Sequence, residues 1–378
     1  TGYEVRTYRT RCRQWNRLQT NERRKFRTGA KCMGKIPRHI PQSKEYKMRI
    51  LCITSANSGV GLHRIMMPIV HLEKEYALIT DVLNDELLEQ GWDIVLMNRM
   101  LNEINAKQMY TWRTKYDFKL VVDNDDHWEL SESHLLYYRY KYNNIGKQIT
   151  DYLKIADLCT CTHERLAAEI SPYNKNVHIL PNALPYGQEQ FQDNKTEDYK
   201  VRLFWSGSGT HERDLEILRQ PFKRLQGMNI RTVIAGYNDA EKPIWDKMID
   251  AFTCGLKLNP TIYNYARVTE YMGAYTDSDI SVIPLVDNKF NAMKSNLKVL
   301  ETASKKNPAI VSMVNPYLDM PVHYVRSQKD WNIHIRNLVN DADMRKESGQ
   351  KLFEFCQKKY NFDEINLDRK YIYSKLCQ

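Results

Sequence analysis

The chain has 378 residues, 42% hydrophobic and 27% charged, an ordinary globular composition with length for two domains that each bury a core. No apolar run reaches the length of a membrane span, and the eight cysteines are scattered without Cys-x-x-Cys spacing, which argues against a disulfide framework or a zinc site and for a reducing, cytoplasmic compartment. The net charge of +10 is unevenly placed: residues 1–47 hold 14 Lys and Arg against 3 Glu, and residues 48–378 sum to −1.

Residues 1–47 show little apolar periodicity and read as a basic N-terminal arm, with Tyr3, Tyr8, Trp15 and Phe26 among the arginines. Such arms bind phosphate backbones with strong salt dependence; the plainer reading is an extension ahead of a domain that starts at Met48.

From Met48 the pattern alternates strand and helix, the signature of a doubly wound sheet. MRILCIT (48–54) is a strand, Ser58-Gly59-Val60-Gly61 a turn, and LHRIMMPIVHLEKE (62–75) a helix with His63 and Arg64 at its start. Gly59 and Gly61 allow close backbone approach, but the third glycine of a dinucleotide fingerprint is absent. DIVLMNR (93–99) is the next strand, INAKQMYTWRTKY (104–116) a helix and KLVVDND (119–125) a strand that runs into Asp125, Asp126 and His127. Three carboxylates and an imidazole at the carboxyl end of a parallel strand lie where ligands bind, and like charges so close need an offset. Asp125 or Asp126 can orient hydroxyl groups or serve as a base, the aspartates can take a divalent cation, or the cluster is an N-capping turn before the helical stretch 131–156.

LCTCT (158–162), ERLAAEISPY (164–173) and VHILPNALP (177–185) follow as strand, helix and strand, with Asn182 in the last turn. The polar stretch 186–200 reads as a linker, and the domain boundary is expected near residue 190. VRLFWS (201–206) opens a second domain and runs into Gly207, Ser208, Gly209 and Thr210, small residues whose backbone N–H groups can close on an anion, with His211 and Arg213 as cationic candidates. IRTVIAGY (230–237) is a strand and a helix lies near 243–252.

Residues 280–317 carry the densest signal: strand, loop, helix, strand. The helix is expected to begin near Ser295 as its N-cap, followed by Asn296, with Leu297, Leu300 and Ala303 on its apolar face and Lys294, Lys298, Glu301 and Lys305 opposite. Beyond the carboxyl ends of a parallel sheet, such a helix start offers N–H groups to a phosphate. Lys294 and Lys298 add charge there, and Glu301 can accept hydrogen bonds from sugar hydroxyls. A long helical region closes the chain.

Five segments, GVGLHR (59–64), the acidic strand end, ILPNALP, SGSGTH (206–211) and KVLETASKKNPAIVS (298–312), fall in one order. Together they resemble the retaining glycosyltransferases of the two-domain B-type fold, specifically family four. The resemblance implies an α/β protein of two Rossmann-like doubly wound domains facing a cleft: an acceptor domain at 48–190, a nucleotide-sugar donor domain at 191–340, and C-terminal helices at 341–378 that cross back to the first domain. It implies that Glu301 binds the donor ribose and that Lys298 sits near the diphosphate. The Gly207–Ser208 loop with His211 and Arg213, and Lys294, Ser295 and Asn296, would complete the donor site. His127, with Asp125 or Asp126, would face the transferred sugar, and Gly59, Gly61, His63, Arg64 and Asn182 would line the acceptor side. Many members carry a second glutamate eight positions before Glu301, where this chain has Met293.

The expected reaction moves a sugar from a nucleoside diphosphate sugar to a hydroxyl acceptor, with retention and without a cofactor or metal, since helix dipole and basic side chains take over the leaving-group charge. The acceptor is a glycan or a hydroxymethylated base in phage DNA, the basic arm then supplying affinity. A non-catalytic nucleotide-sugar or partner-binding protein and a sugar epimerase of the same fold are the alternatives.

Overall fold

The structure is a computed structural model and describes residues 48–72, 77–254 and 260–378. The basic arm and its expected affinity for nucleic acid lie outside the described residues. Among these residues twelve strands form two all-parallel sheets. In the first, β1 (Ile50–Ile53), β2 (Ala77–Thr80), β3 (Ile94–Asn98), β4 (Lys119–Asn124), β5 (Leu158–Cys161) and β6 (Val177–Ile179) lie in the order β2-β1-β3-β4-β5-β6. In the second, β7 (Val201–Ser206), β8 (Ile230–Tyr237), β9 (Thr261–Asn264), β10 (Ile280–Ile283), β11 (Ala309–Ser312) and β12 (His323–Val325) lie in the order β12-β11-β10-β7-β8-β9.

Counted from β7, the second order is the 3-2-1-4-5-6 arrangement of dinucleotide-binding sheets, and its direction of winding reverses between β7 and β10. The first sheet reverses between β1 and β3. At such a reversal the flanking helices lie on opposite faces and leave a crevice beyond the carboxyl ends of the two strands.

The inner strands are largely buried because helices cover both faces; β1, β5, β10 and β11 are buried at every position. Sequence patterning did not pick out β2, β9 and β12. They are three- or four-residue strands at or next to sheet edges and only partly buried, so the apolar run that marks a core strand is missing.

Two helical stretches are subdivided. Residues 131–156 hold helices Tyr137–Tyr142 and Ile145–Ile155, separated at Asn144, whose φ of 49° interrupts the right-handed run. The C-terminal region holds helices Gln328–Asn340, Ala342–Lys359 and Phe362–Leu376. Leu352 and Cys356 pack with Val299, Leu300 and Ala303 of the second domain, whereas Tyr373 joins Ile50, Ile65 and Leu96 in the core beneath the first sheet. The chain thus crosses between the domains twice. At the other crossing Leu184 and Phe191 already belong to the second core. The fully buried Lys305 holds that linker by donating to the carbonyls of Gln190 (3.1 Å) and Gln192 (2.6 Å) and to Asn194 Oδ1 (2.7 Å).

Candidate active site

The two crevices face each other, and the structure brings some of the sequence-predicted residues to them and not others. On the first domain the helix after β1 contains one π-type turn, Leu62–Met66, whose extra residue lets the consecutive side chains His63 and Arg64 both turn inward. Gly61 is required at its start, since a Cβ there would lie 2.1 Å from Thr54 Oγ1, while at Gly59 a Cβ would meet nothing.

Arg64 is spent on structure. Its guanidinium grips Asp123 at the end of β4 through two hydrogen bonds (3.0 and 2.7 Å) and donates to the Leu180 carbonyl (2.6 Å) and Asn182 Oδ1 (3.1 Å). Asp123 also accepts from Thr160 (2.7 Å), so this carboxylate is fully committed. Asn182 in turn donates to Ser295 Oγ across the domain junction (2.9 Å).

Arg99 offsets the other two carboxylates. Held at φ 53° just past β3, it donates from Nε to Asp125 (2.8 Å) and from Nη2 to Asp126 (3.0 Å). Asp126 also lies 3.6 Å from Lys294 of the second domain. Although burial opposes ionisation, Lys294 and Arg99 hold the Asp126 carboxyl below its ordinary range.

His127 turns away from this group. Its ring is buried, stacks on Trp128 at 4.8 Å, accepts from the Glu129 N–H at Nδ1 (3.0 Å) and donates from Nε2 to Glu169 (3.1 Å).

On the second domain the loop after β7 closes tightly. A Cβ on Gly207 would fall 2.7 Å from the Trp205 ring and 2.8 Å from Lys298 Nζ, so glycine there makes room for the lysine. Lys298 stacks over Trp205 (4.8 Å) and donates to the Ser206 carbonyl (2.5 Å). Burial lowers its ammonium to about 8. His211 donates from Nδ1 to Asp214 (2.7 Å); burial and the Lys298 charge lower it to about 4, so it is neutral at physiological pH. Ser208 and Thr210 bond each other through their hydroxyls (2.7 Å), and Arg213 is exposed on the short helix beyond.

The helix Leu297–Ser304 is capped by Asn296 without a side-chain cap bond, and Ser295, the expected N-cap, lies one residue earlier with its hydroxyl accepting the hydrogen bond from Asn182. Nor does it expose a polar face: Glu301, Thr302 and Ser304 are as buried as Val299 and Leu300. Glu301 accepts hydrogen bonds from the hydroxyls of Tyr271 and Tyr275, both at 2.6 Å, and burial raises its carboxyl despite these bonds and Lys298. His63 reaches across from the first domain and donates from Nε2 to the Tyr271 hydroxyl (3.0 Å), which has given its own proton to Glu301. Burial, and then the Arg64 charge, lower His63 to about 3.

The structure therefore gathers Asp126, Lys294, Lys298, His211, Glu301 and His63 around one crevice, keeps Arg64 and His127 for internal support, and leaves Arg213 at the surface. Sequence reading missed Arg99, Tyr271 and Tyr275. It also missed His134, whose ring packs on Phe290 (5.1 Å), and His163, which donates to the Met293 carbonyl (2.8 Å). Arg99 alone had a signal, its position at the carboxyl end of a strand beside the reversal of the sheet. Among the described residues no group of three or more His, Cys, Asp and Glu is placed to hold a metal ion. None of their helices is long and apolar enough to cross a membrane.

The sequence matches no protein-family profile and no curated protein. Solved structures do resemble the fold. An alpha-glucosyltransferase in complex with UDP and a 13-mer DNA containing a HMU base shares 13% identity over 87% of this chain and 100% of its own, with a TM-score of 0.60. HepE from Anabaena in complex with UDP-glucose shares 10% identity over 87% of this chain and 100% of its own, with a TM-score of 0.64. TarM shares 14% identity over 74% of this chain, which spans 54% of TarM's length, with a TM-score of 0.54. At such identities the likeness establishes the fold, two Rossmann-like α/β domains facing a cleft as in B-type glycosyltransferases.

Proposed function

We propose that this protein is a glycosyltransferase that moves a sugar from a nucleoside diphosphate sugar to a hydroxyl acceptor. The observation that carries the reading is the placing of Lys294, Lys298 and Glu301 at the β7–β10 reversal of a nucleotide-type sheet, directly across from Asp126. The neighbours bound to UDP or UDP-glucose support a donor of that class.

In this reading Lys294 and Lys298 bind the diphosphate and neutralise the charge that develops as the anomeric C–O bond breaks, so positioning and electrostatics supply most of the acceleration. Glu301, backed by Tyr271 and Tyr275, sits on the ribose side. Asp126 faces the sugar and orients it. Held below the ordinary carboxylate range, Asp126 is a poor base, so the departing phosphate oxygen takes the acceptor proton while the acceptor oxygen bonds to the anomeric carbon. Retention of configuration is part of the proposal, supported by the resemblance of residues 298–312 to retaining enzymes.

For the acceptor, the helix Tyr137–Tyr142 is informative. Tyr138 and Tyr142 stack at 6.0 Å and 18° and remain 61% and 76% exposed, with Arg139 and Lys141 between them. Arg99 reaches the Tyr140 hydroxyl (3.5 Å), which puts this helix at the cleft rim. Ring faces interleaved with cations suit nucleic acid, and one neighbour was solved with modified DNA, so hydroxymethylated DNA is the first acceptor to try.

The test is a thermal-shift screen of the full chain against UDP, GDP, ADP and their sugar conjugates. A ligand at 100 times its Kd adds roughly 2.7 kcal/mol of stability. One donor should stabilise the protein and do so far less in Lys294→Met; if none does, the reading fails.

A further inference from the structure

A cavity separate from the cleft lies at the amino ends of β10 and β11, the end of the sheet opposite the cleft. It measures about 380 Å³ and is walled by the linker between the domains, the turn before β11 and the start of helix Ala342–Lys359. That volume lies in the range of small-molecule sites, although the lining is polar.

Its lining carries four cations, Lys195, Lys306, Arg345 and Lys346, against two carboxylates, Asp193 and Asp279. Both carboxylates are taken: Asp279 receives two hydrogen bonds from the Arg202 guanidinium (2.8 and 2.9 Å) and one from the Arg202 backbone N–H (2.9 Å), and Asp193 lies 3.4 Å from Lys306. The remaining three cations have neutral partners or face solvent. Lys195 donates to Asn307 Oδ1 (2.9 Å), Arg345 to the Leu338 carbonyl (2.6 Å), and Lys346 is exposed on the helix.

The walls are fixed. Lys306 is held at φ 50°, and a Cβ on Gly349 would meet its carbonyl oxygen at 2.0 Å, so the helix lies hard against the turn. Lys305, one residue away, pins the linker by its three bonds.

We propose that this cavity is a binding site for a compact phosphorylated anion, held by Lys195, Arg345 and Lys346. An anion there joins the linker, which supplies Lys195, to the helix that leads into the second crossing, which supplies Arg345 and Lys346. It therefore bears on both segments that connect the domains. The proposal does not rest on the donor-site reading. Burial, and then the neighbouring Arg202 and Arg345 charges, outweigh Asp193 and Asp279 and lower Lys195, the direction a bound anion reverses.

Calorimetric titration with inorganic pyrophosphate at fixed ionic strength tests it, using the full chain as wild type, as the cleft variant Lys294→Met/Lys298→Met and as the hinge variant Lys195→Met/Lys346→Met. The cleft variant should retain one pyrophosphate site within two-fold of its wild-type affinity, and the hinge variant should lose at least ten-fold at that site. Lys346→Glu, a charge reversal at an exposed position, should weaken the same site at least ten-fold while the melting curve stays in place. A cleft variant that binds no pyrophosphate, or hinge variants that bind as wild type, would overturn the proposal.

Discussion

Lys298→Met should separate stability from function, because the ammonium it removes is poorly accommodated in the fold. Burial brings Lys298 from its ordinary 10.5 down to about 8, which at neutral pH corresponds to roughly 3 kcal/mol spent on keeping the charge. Against this stand one hydrogen bond to the Ser206 carbonyl and a stacked contact with Trp205, together about 2 kcal/mol. Methionine keeps the apolar stem on Trp205 and loses the charge, so the melting midpoint should hold or rise by a few degrees. Donor binding should move the other way. A charge-assisted hydrogen bond to phosphate contributes about 1.5–3 kcal/mol, so affinity for the nucleoside diphosphate should fall roughly 10- to 100-fold. Calorimetry for binding and urea or thermal melts for stability, on the same preparations, read both quantities. A variant that melts well below wild type yet binds the nucleotide within two-fold would refute the reasoning, since Lys298 would then be a structural fixture.

Other consequences are open to test. Gly207→Ala places a methyl group against Trp205 and the Lys298 ammonium, and should cost about 1–3 kcal/mol of stability as well as at least ten-fold in donor affinity. His63 and His211 are lowered to about 3 and about 4, below the ordinary 6.5, so the folded state binds fewer protons than the unfolded state as pH falls below 6.5. Stability should therefore be full above pH 6.5 and decline toward pH 4, by up to about 2 kcal/mol for each histidine at pH 5; a urea midpoint unchanged between pH 7.5 and 5 would contradict this. Tyr138→Ala/Tyr142→Ala should raise the acceptor KM several-fold and leave donor affinity untouched, which steady-state kinetics with DNA acceptors would read.

The parts of the fold that were legible in the sequence are those where local pattern and tertiary burial agree. β1, β10 and β11 are buried at every position and read as short, mostly apolar runs, whereas β2, β9 and β12 are only partly buried, lie at the sheet edges, and lack that signal. The grouping of Lys294, Lys298 and Glu301 at the second-domain crevice was legible for a related reason: they lie within one strand–loop–helix unit, and their spacing along one segment fixes their neighbourhood. The first-domain side was not. Arg64 meets Asp123 59 residues away, and Arg99 meets Asp125 26 residues away. The acidic cluster therefore looked free in the sequence and is paired in the fold. His127 adjoins Asp126 in sequence yet turns to the opposite side, toward Glu169 on the helix after β5, which no local pattern announces. The helix Leu297–Ser304 looked amphipathic because its polar residues are spaced like an exposed face, but Tyr271 and Tyr275 cover that face and accommodate Glu301.

The most direct measurement of the central claim is cleavage of the donor itself. The nucleotide sugar that stabilises the protein, carrying a labelled sugar, is incubated with wild type and with Lys294→Met/Lys298→Met, and release of the nucleoside diphosphate is followed with and without hydroxymethylated DNA. The account predicts slow release without acceptor, faster release with label passing to a suitable acceptor, and at least a 100-fold drop in the double variant. Tight donor binding with no release under any condition, or equal release by the double variant, would contradict it.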